Sequence, residues 1–266
     1  MIPPVLDLAA ARALDRVVFA DVRYYLDGRR GRDAYDGGHL PGAIFVDVDA
    51  DLAAHGAPPT EGRHPLPDPG AFAARMAQLG LADQDRVVAY DDSGGVMAAR
   101  LVWMLRATGH EAALLDGGLA AYPGDLDTEP PSRTPAVFSV RPWPADRLAT
   151  IDEAADRRNT VLDARAPERF RGDSEPIDPR AGHIPGARNV PCRDHVDANG
   201  RFKSVEVVRG NFVGIEPGTD VISYCGSGVT ACHNLLAMEY AGLGAGRLYP
   251  GSWSAYSNTD RPAATA

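Results

Sequence analysis

The chain lacks any long apolar run and contains few cysteines. Across its 266 residues no apolar stretch approaches the roughly 18 residues that a membrane-spanning helix requires, so we expect no membrane partner. Three cysteines are too few, and odd in number, for a disulfide framework, which favours a reducing compartment. The first residues show neither a basic region nor a continuous apolar segment, so no signal peptide is predicted. Together these absences favour a cytoplasmic protein.

Basic residues are also fewer than acidic residues. Lysine and arginine number 27 against 36 aspartates and glutamates, which gives a formal net charge of −9. That charge disfavours nucleic acid and anionic membranes as partners, and it means that an anionic substrate needs a local positive site. No group of histidines, cysteines or carboxylates has the spacing of metal ligands, so we predict no metal site.

Short, branched apolar runs alternate with helical patterns along the chain. Polar or glycine-rich residues follow these runs, as they do after buried parallel strands. We predict strands at 17–20, 87–90, 161–162 and 221–222, and helices at 96–107 and 229–241. The alternation indicates an α/β fold in which a mainly parallel sheet is flanked by helices on both faces. Ligands of such sheets bind beyond the carboxyl ends of the strands.

The two halves of the chain carry the same signals in the same order. In the first half, Asp-Val-Arg at 21–23 precedes Gly-His-Leu-Pro-Gly-Ala at 38–43. In the second half, Asp-Ala-Arg at 163–165 precedes Gly-His-Ile-Pro-Gly-Ala at 182–187. Two copies of one domain therefore account for nearly the whole chain.

A proline-rich stretch separates the two copies. Six prolines fall within 122–144, too many for an internal helix or strand. Such a composition is typical of an extended linker. We therefore place one domain at 1–124, the linker at 125–145 and the other domain at 146–266.

Cys225 lies between a short apolar run and a helical pattern. At such a turn several backbone N–H groups point inward and the helix macrodipole is positive, so the thiolate form of the cysteine is favoured. Gly226 and Gly228 let the backbone close around the sulfur, and Ser227 and Thr230 add hydroxyl donors. The loop is therefore predicted to cradle an anion on Cys225.

The first copy lacks this cysteine. Aligning Tyr90 with Tyr224 places Asp91 where Cys225 stands in the second copy. Because an aspartate cannot carry sulfur, the first domain is predicted to be catalytically inactive.

Phosphoryl transfer is the competing chemistry for a cysteine loop of this kind. It depends on a cation that stabilises the phosphate oxygens. No arginine or lysine occurs between Cys225 and Arg247, which disfavours a phosphatase.

The string Cys225-Gly-Ser-Gly-Val-Thr-Ala231 resembles the active-site loop of the rhodanese superfamily, and within it the 3-mercaptopyruvate sulfurtransferase branch. The resemblance extends over both copies and implies two tandem rhodanese-like domains, with the catalytic one second. It implies a sulfurtransferase that moves a sulfane sulfur from 3-mercaptopyruvate, through a persulfide on Cys225, to a thiol, thioredoxin or cyanide. The covalent persulfide carries the sulfur, so no cofactor is expected.

Two departures from the family patterns bear on which compound is the sulfur donor. Mercaptopyruvate enzymes usually carry a second substrate arginine directly after a Glu-Pro pair, and here Ile177 occupies that position. Relatives specific for thiosulfate carry basic residues just after the cysteine, where this chain has Gly226 and Ser227. We favour mercaptopyruvate and keep thiosulfate:cyanide sulfurtransfer as the alternative. A persulfide carrier or sensing module with slow turnover is a further alternative.

The resemblance also implies roles for individual residues. Arg169 matches the family arginine that reaches the cysteine, and a guanidinium can bind a carboxylate in two parallel hydrogen bonds. Arg180 is expected to compensate for the missing second arginine. His39 is carried over as a catalytic partner of Cys225 and Ser227. The remaining substrate contacts are expected from the loop residues Gly226, Gly228, Val229 and Thr230.

Overall fold

A computed structural model describes every residue from Met1 to Ala266, and the chain divides into two compact units. The N-terminal unit comprises Met1–Ala53, Pro67–Trp143 and Val196–Phe202. The C-terminal unit comprises Ala54–Leu66, Pro144–His195 and Lys203–Ala266. Each unit therefore contains one short segment from the opposite half of the sequence.

The N-terminal unit is built on a five-stranded sheet whose paired strands are all parallel. Its strands are β1 Val5–Leu6, β2 Val17–Asp21, β3 Ile44–Phe45, β4 Arg86–Tyr90 and β5 Ala112–Leu115. The strand order is β1-β5-β4-β2-β3. Its helices are α1 Leu8–Arg12, α2 Gly31–Asp36, α3 Val48–Asp51, α4 Pro69–Gln78 and α5 Ala99–Ala107. A 3-10 helix follows at Gly118–Ala121.

The C-terminal unit repeats this architecture with four parallel strands. They are β6 Thr160–Asp163, β7 Arg188–Asn189, β8 Val221–Tyr224 and β9 Arg247–Leu248, in the order β7-β6-β8-β9. Its helices are α6 Ile151–Ala155, α7 Pro167–Arg171, α8 Val205–Gly210, α9 Ala231–Tyr240 and α10 Ser252–Tyr256. Short 3-10 helices lie at Pro59–Glu61, Ala145–Arg147 and Cys192–His195. The order corresponds to β3-β2-β4-β5 of the other unit, so the repeated α/β fold is confirmed.

The predicted strands are all present, while two helices begin later than the periodicity indicated. α5 begins at Ala99 rather than at Val96, and α9 begins at Ala231 rather than at Val229. The residues before each helix belong to the loop that leaves the central strand, and their backbone N–H groups point into that loop. None of the helices is both long and apolar enough to cross a membrane.

A buried ion pair lies at the end of β2 in the N-terminal unit and at the end of its counterpart β6 in the C-terminal unit. In the C-terminal unit Arg165 pairs with Asp163 at 2.6 Å and donates to the carbonyl of Gly182 at 2.7 Å. In the N-terminal unit Arg23 pairs with Asp21 at 2.7 Å. Because all four side chains are buried, loss of either partner would leave an uncompensated charge inside the domain. The repeated Asp-x-Arg segments are therefore structural.

The proline-rich stretch contains no helix or strand before Ala145, as expected. It is nevertheless not a linker without contacts to a domain. It packs along the N-terminal unit. The N–H of Ala136 donates to the carbonyl of Ala77 at 2.9 Å, and the N–H of Ser139 donates to Asp83 at 2.8 Å. The ring of Phe138 stacks on His110. These bonds fix the path of the chain.

The segment Ala54–Leu66 is anchored in the C-terminal unit by its backbone. The N–H of Arg63 donates to Ser254 Oγ at 3.1 Å, and the 3-10 helix at Pro59–Glu61 packs on α10. Gly62 has φ of 92°, and a Cβ there would lie 2.6 Å from the carbonyl oxygen of Gly251. Only glycine fits so close to the Gly251 carbonyl. This contact fixes the backbone position of the next two residues, Arg63 and His64.

We expect Gly62→Ala to destabilise the protein more than Gly56→Ala. Both glycines have positive φ, 92° and 70°, so alanine costs about 1–2 kcal/mol of unfolding free energy at either position. Only at Gly62 does the added Cβ also meet a backbone carbonyl, because nothing lies within 4 Å of a Cβ at Gly56. Urea unfolding of the two variants measures the difference. Equal losses would show that the close approach to Gly251 does not matter for stability.

Candidate active site

Cys225 lies at the carboxyl end of β8, at the start of the loop that leads to α9. The residue is 1% exposed, and the N–H of Gly228 donates to its sulfur at 3.2 Å. Gly228 has φ of 79°, and a Cβ there would lie 2.4 Å from the carbonyl oxygen of Pro250. Glycine is therefore required for the loop to close around the sulfur as the sequence predicted.

The loop is held from behind by the start of α10. The N–H groups of Trp253 and Ser254 donate to the carbonyls of Cys225 and Gly226 at 2.9 and 2.8 Å. The N–H of Cys225 donates to Ser252 Oγ at 3.1 Å. These bonds direct the carbonyls of Cys225 and Gly226 toward α10, while the N–H of Gly228 faces the sulfur.

The matching loop of the N-terminal unit holds a carboxylate. Asp91 is fully buried and accepts four backbone N–H groups at 2.7–3.0 Å, those of Ser93, Gly95, Met97 and Ala98. This side chain stands where the alignment of the halves placed the counterpart of Cys225. The N-terminal copy thus shows the same loop type binding a carboxylate through backbone donors.

Ser252 adopts a backbone conformation that non-glycine residues avoid. Its φ is 53°, close to the 55° of Gly118, which occupies the matching position in the N-terminal unit. Its Oγ accepts the N–H of Cys225 and donates to the carbonyl of Tyr249 at 3.0 Å. The left-handed conformation costs about 1–2 kcal/mol, which these hydrogen bonds offset.

The loop serine lies against a histidine that the sequence analysis missed. His64 Nδ1 is 2.7 Å from Ser227 Oγ, and the two residues are 6% and 9% exposed. His64 belongs to the segment Ala54–Leu66, which is part of the C-terminal unit despite its place in the first half of the sequence. The contact joins residues 163 positions apart, so the pattern around Cys225 did not point to it.

His39, expected to act with Cys225 and Ser227, lies within the turn of its own Gly-His-Leu-Pro-Gly-Ala segment. It is fully buried, its Nδ1 lies 2.9 Å from the carbonyl oxygen of Tyr35, and its ring stacks on Tyr35. His183 makes the same pair of contacts with Phe170, at 2.8 Å for the hydrogen bond. Both histidines therefore fix the turn of their Gly-His-x-Pro-Gly-Ala segments, and the ring beside the loop serine is His64.

Arg169 lies on α7 with its guanidinium over the cysteine loop. A Cβ on Gly226 would lie 3.4 Å from its Nη1. Its Nη2 pairs with Glu175 at 2.7 Å and with Asp178 at 3.1 Å. Although burial opposes ionisation of Glu175, the hydrogen bond from Arg169 holds its pKa below the ordinary value. The guanidinium is thus oriented before any substrate arrives.

Arg180, expected to compensate for the missing second arginine, makes side-chain contacts with the backbone at the end of α10 and beyond it. Its guanidinium donates to three backbone carbonyls at 2.9–3.0 Å, those of Tyr256, Ser257 and Arg261. These bonds tie the loop after α7 to the segment that follows α10. Arg180 therefore anchors the C-terminal segment.

Arg63 supplies a second guanidinium over the loop instead. A Cβ on Gly226 would lie 3.1 Å from its Nη2. Its Nη1 pairs with Asp178, whose side chain is 2% exposed. Burial raises the pKa of Asp178 above its ordinary value, against the opposing effect of Arg63 and Arg169. Two arginines from distant segments therefore share one carboxylate next to the cysteine loop.

The other two cysteines and the remaining loop residues make contacts inside the domain. Burial, and then the charge of Cys225, raise the pKa of Cys192 to about 12, and the Thr230 hydroxyl bonds to its sulfur. Cys192 therefore stays protonated near neutral pH. Val229 is buried, and the thiol of Cys232 donates to the carbonyl of Gly228 at 3.4 Å. No group of three or more His, Cys, Asp or Glu side chains is placed to hold a metal ion.

Comparison with known proteins identifies relatives over nearly the full chain. The family model described as the rhodanese-like domain matches residues 6–124 and 146–259. A Pseudomonas aeruginosa protein named "Probable 3-mercaptopyruvate sulfurtransferase" is 41% identical, covering 97% of this chain and 95% of its own. A Mycobacterium tuberculosis protein whose provisional name is thiosulfate sulfurtransferase is 40% identical over 93% of this chain and 90% of its own. The solved 3-mercaptopyruvate sulfurtransferase of Leishmania major superposes with a TM-score of 0.86 at 33% identity, covering 98% of this chain and 75% of its own.

We expect Ser252→Ala to be less stable than Ser252→Gly. Both changes remove the two Oγ hydrogen bonds, at about 0.5–1.5 kcal/mol each. Alanine keeps the strained φ of 53°, whereas glycine adopts it freely and should recover about 1 kcal/mol. The free energies of unfolding in urea test the order. A glycine variant less stable than the alanine variant would contradict the account of Ser252.

Proposed function

Since the chain belongs to the rhodanese family and is a sulfurtransferase, we propose that its donor is 3-mercaptopyruvate and that Cys225 carries the sulfur as a persulfide. The observation that carries this proposal is the hydrogen bond between His64 and Ser227 within the Cys225 loop. Of the two donors considered, only mercaptopyruvate brings a thiol proton that must be moved during the reaction. A buried hydroxyl and imidazole beside the cysteine provide that proton path.

The first step forms one S–S bond and breaks one C–S bond. The Cys225 thiolate attacks the thiol sulfur of mercaptopyruvate, and the C–S electron pair passes to carbon as the enolate of pyruvate. The proton of the donor thiol passes through Ser227 and His64 and ends on that carbon. The products are pyruvate and an anionic persulfide, so atoms and charge balance.

The outer sulfur of the persulfide lies among the loop N–H groups. Asp91 supports this placement, because in the matching loop its carboxylate accepts four such groups. Oriented backbone donors stabilise a negative charge without having to rearrange during the reaction. The Gly228 N–H already donates to the sulfur at 3.2 Å.

A thiol acceptor completes the cycle. Its thiolate attacks the outer sulfur and releases the Cys225 thiolate, so the two half-reactions are separated and the kinetics are ping-pong. Small thiols, thioredoxin and cyanide are the proposed acceptors, with no cofactor beyond the covalent persulfide. A cytoplasmic, reducing compartment fits an enzyme that depends on a free cysteine thiolate.

Thiosulfate is the second candidate donor. Two guanidinium groups near Gly226 could also bind a sulfonate, and a relative of 40% identity is named for thiosulfate. Against it, the mouth of the loop carries no basic side chain of its own, since Gly226 and Ser227 follow the cysteine. Fast multiple turnover with either donor would exclude the third candidate, a slow persulfide carrier or sensor.

Replacing Cys225 tests the nucleophile. We expect Cys225→Ser to abolish turnover with mercaptopyruvate and a thiol, because a hydroxyl is far less acidic and cannot form a persulfide. Cys192→Ser and Cys232→Ser are the matched controls, and both should retain most of the activity. Steady-state kinetics of the three variants decide the matter. Comparable turnover by Cys225→Ser would refute the assignment.

Replacing His64 tests the proton path. We expect His64→Gln to lower kcat/KM for mercaptopyruvate by about 10²–10⁴, the usual contribution of general acid–base catalysis. Thiosulfate carries no thiol proton and should lose much less, so the ratio of the two kcat/KM values falls. His39→Gln is the control and should leave this ratio unchanged, whatever its effect on stability. Equal losses for both donors in His64→Gln would show that His64 moves no donor proton.

A further inference from the structure

We propose that the open cavity beside Ile177 binds the body of the sulfur acceptor and selects a small thiol with an apolar chain; the inference rests on the sulfur-transfer function above. The cavity has a volume of about 320 Å³. Cavities that hold drug-sized ligands measure about 300–1,000 Å³, so this one is larger than the small donor needs and has room for a longer molecule. Its apolar lining residues are Ala54, Ala57, Pro59, Pro65, Ile177 and Pro179.

The polar groups of the lining are bound within the chain. Arg63 pairs with Asp178. Ser254 Oγ accepts the N–H of Arg63 at 3.1 Å and donates to the carbonyl of Gly251 at 3.1 Å. Asn258 Nδ2 donates to the carbonyl of Ser254 at 2.7 Å. The two opposite charges of the lining therefore cancel, and the surface left for a ligand is mainly apolar.

One end of the cavity borders the cysteine loop. A Cβ on Gly226, the residue after the nucleophile, would lie 3.1 Å from Nη2 of the lining residue Arg63. The N–H of Ser254, also in the lining, donates to the carbonyl of Gly226 at 2.8 Å. Cys225 is only 1% exposed, so a substrate places its reacting sulfur at the loop and leaves the rest of its body outside. The cavity provides the adjoining space for that body.

Both walls belong to the C-terminal unit and are held in place before any ligand arrives. In one wall the N–H groups of Ile177 and Asp178 both donate to Glu175 at 3.1 Å, and Ile177 remains 42% exposed. In the other, the N–H of Ala54 donates to the carbonyl of Pro65 at 2.9 Å and closes the segment between them. Preformed walls lose little conformational entropy on binding, so apolar contacts with a ligand contribute directly to affinity.

The sulfur-transfer step is the same for every thiol. The acceptor thiolate attacks the outer sulfur of the persulfide, the S–S bond to Cys225 breaks, and its electron pair remains on Cys225 as the thiolate. The acceptor leaves as a persulfide. Thiols that differ only in chain length therefore differ mainly in how their chains bind. Each methylene that the cavity buries should raise the acceptor's kcat/KM about two- to fourfold.

The experiment reacts the preformed Cys225 persulfide with 2-mercaptoethanol, 4-mercapto-1-butanol and 6-mercapto-1-hexanol in single turnovers. In the wild type, the second-order rate constant should rise with chain length. Ile177→Thr keeps the branch at Cβ but loses apolar surface, so the advantage of the longest thiol over the shortest should fall about three- to tenfold. Ala57→Leu narrows the cavity and should also reduce that advantage. Val207→Thr is the matched control, because Val207 is 50% exposed on α8 and does not line the cavity.

The donor half-reaction separates failure of this inference from failure of the proposed function. In ping-pong kinetics, kcat/KM for the donor is measured apart from kcat/KM for the acceptor. If mercaptopyruvate forms no persulfide but thiosulfate does, the proposed donor is wrong and the acceptor series is run on the thiosulfate-loaded chain. One rate constant for all three thiols, or a chain-length dependence that Ile177→Thr and Ala57→Leu leave unchanged, would overturn the inference. Equal losses for the donor and for every thiol in both variants would overturn it as well.

Discussion

Backbone N–H groups that surround an anion at the end of a central strand are the feature on which the active site depends. In the N-terminal unit this arrangement is occupied by the carboxylate of Asp91, which accepts four N–H groups. In the C-terminal unit Cys225 stands at the same place, and glycines close the loop around its sulfur. One loop type therefore stabilises either a fixed carboxylate or a reactive sulfur, and a single residue decides which.

The surroundings of the Cys225 loop are completed by residues from the first half of the sequence. Arg63 and His64 lie in a segment that belongs to the C-terminal unit, while Val196–Phe202 belongs to the N-terminal unit. The exchanged segments are alike: Gly-Arg-His at 62–64 corresponds to Gly-Arg-Phe at 200–202. A histidine accompanies the cysteine loop, and a phenylalanine occurs at the corresponding position of the other segment. The two halves thus diverged at both the nucleophile and its neighbour.

The sequence predicted the fold and the loop that closes around Cys225 because both depend on local signals. Apolar runs followed by glycine-rich turns located the central strands, and the residues around Cys225 located the loop. His64 and Arg63 were missed because their contacts depend on how distant segments meet, which periodicity does not encode. His39 and Arg180 were assigned instead, yet the structure binds both to backbone carbonyls. The recurring Gly-Arg-aromatic segment was the signal that could have located His64.

A single-turnover experiment tests the central claim most directly. The wild-type chain would be mixed with a limiting amount of mercaptopyruvate and no acceptor, and both the released pyruvate and the intact protein mass would be measured. The account predicts one pyruvate released for each sulfur atom gained, with the added mass on the peptide that contains Cys225 and removed by a thiol. Pyruvate release without any gain in mass, or added sulfur on Cys192 or Cys232, would contradict it.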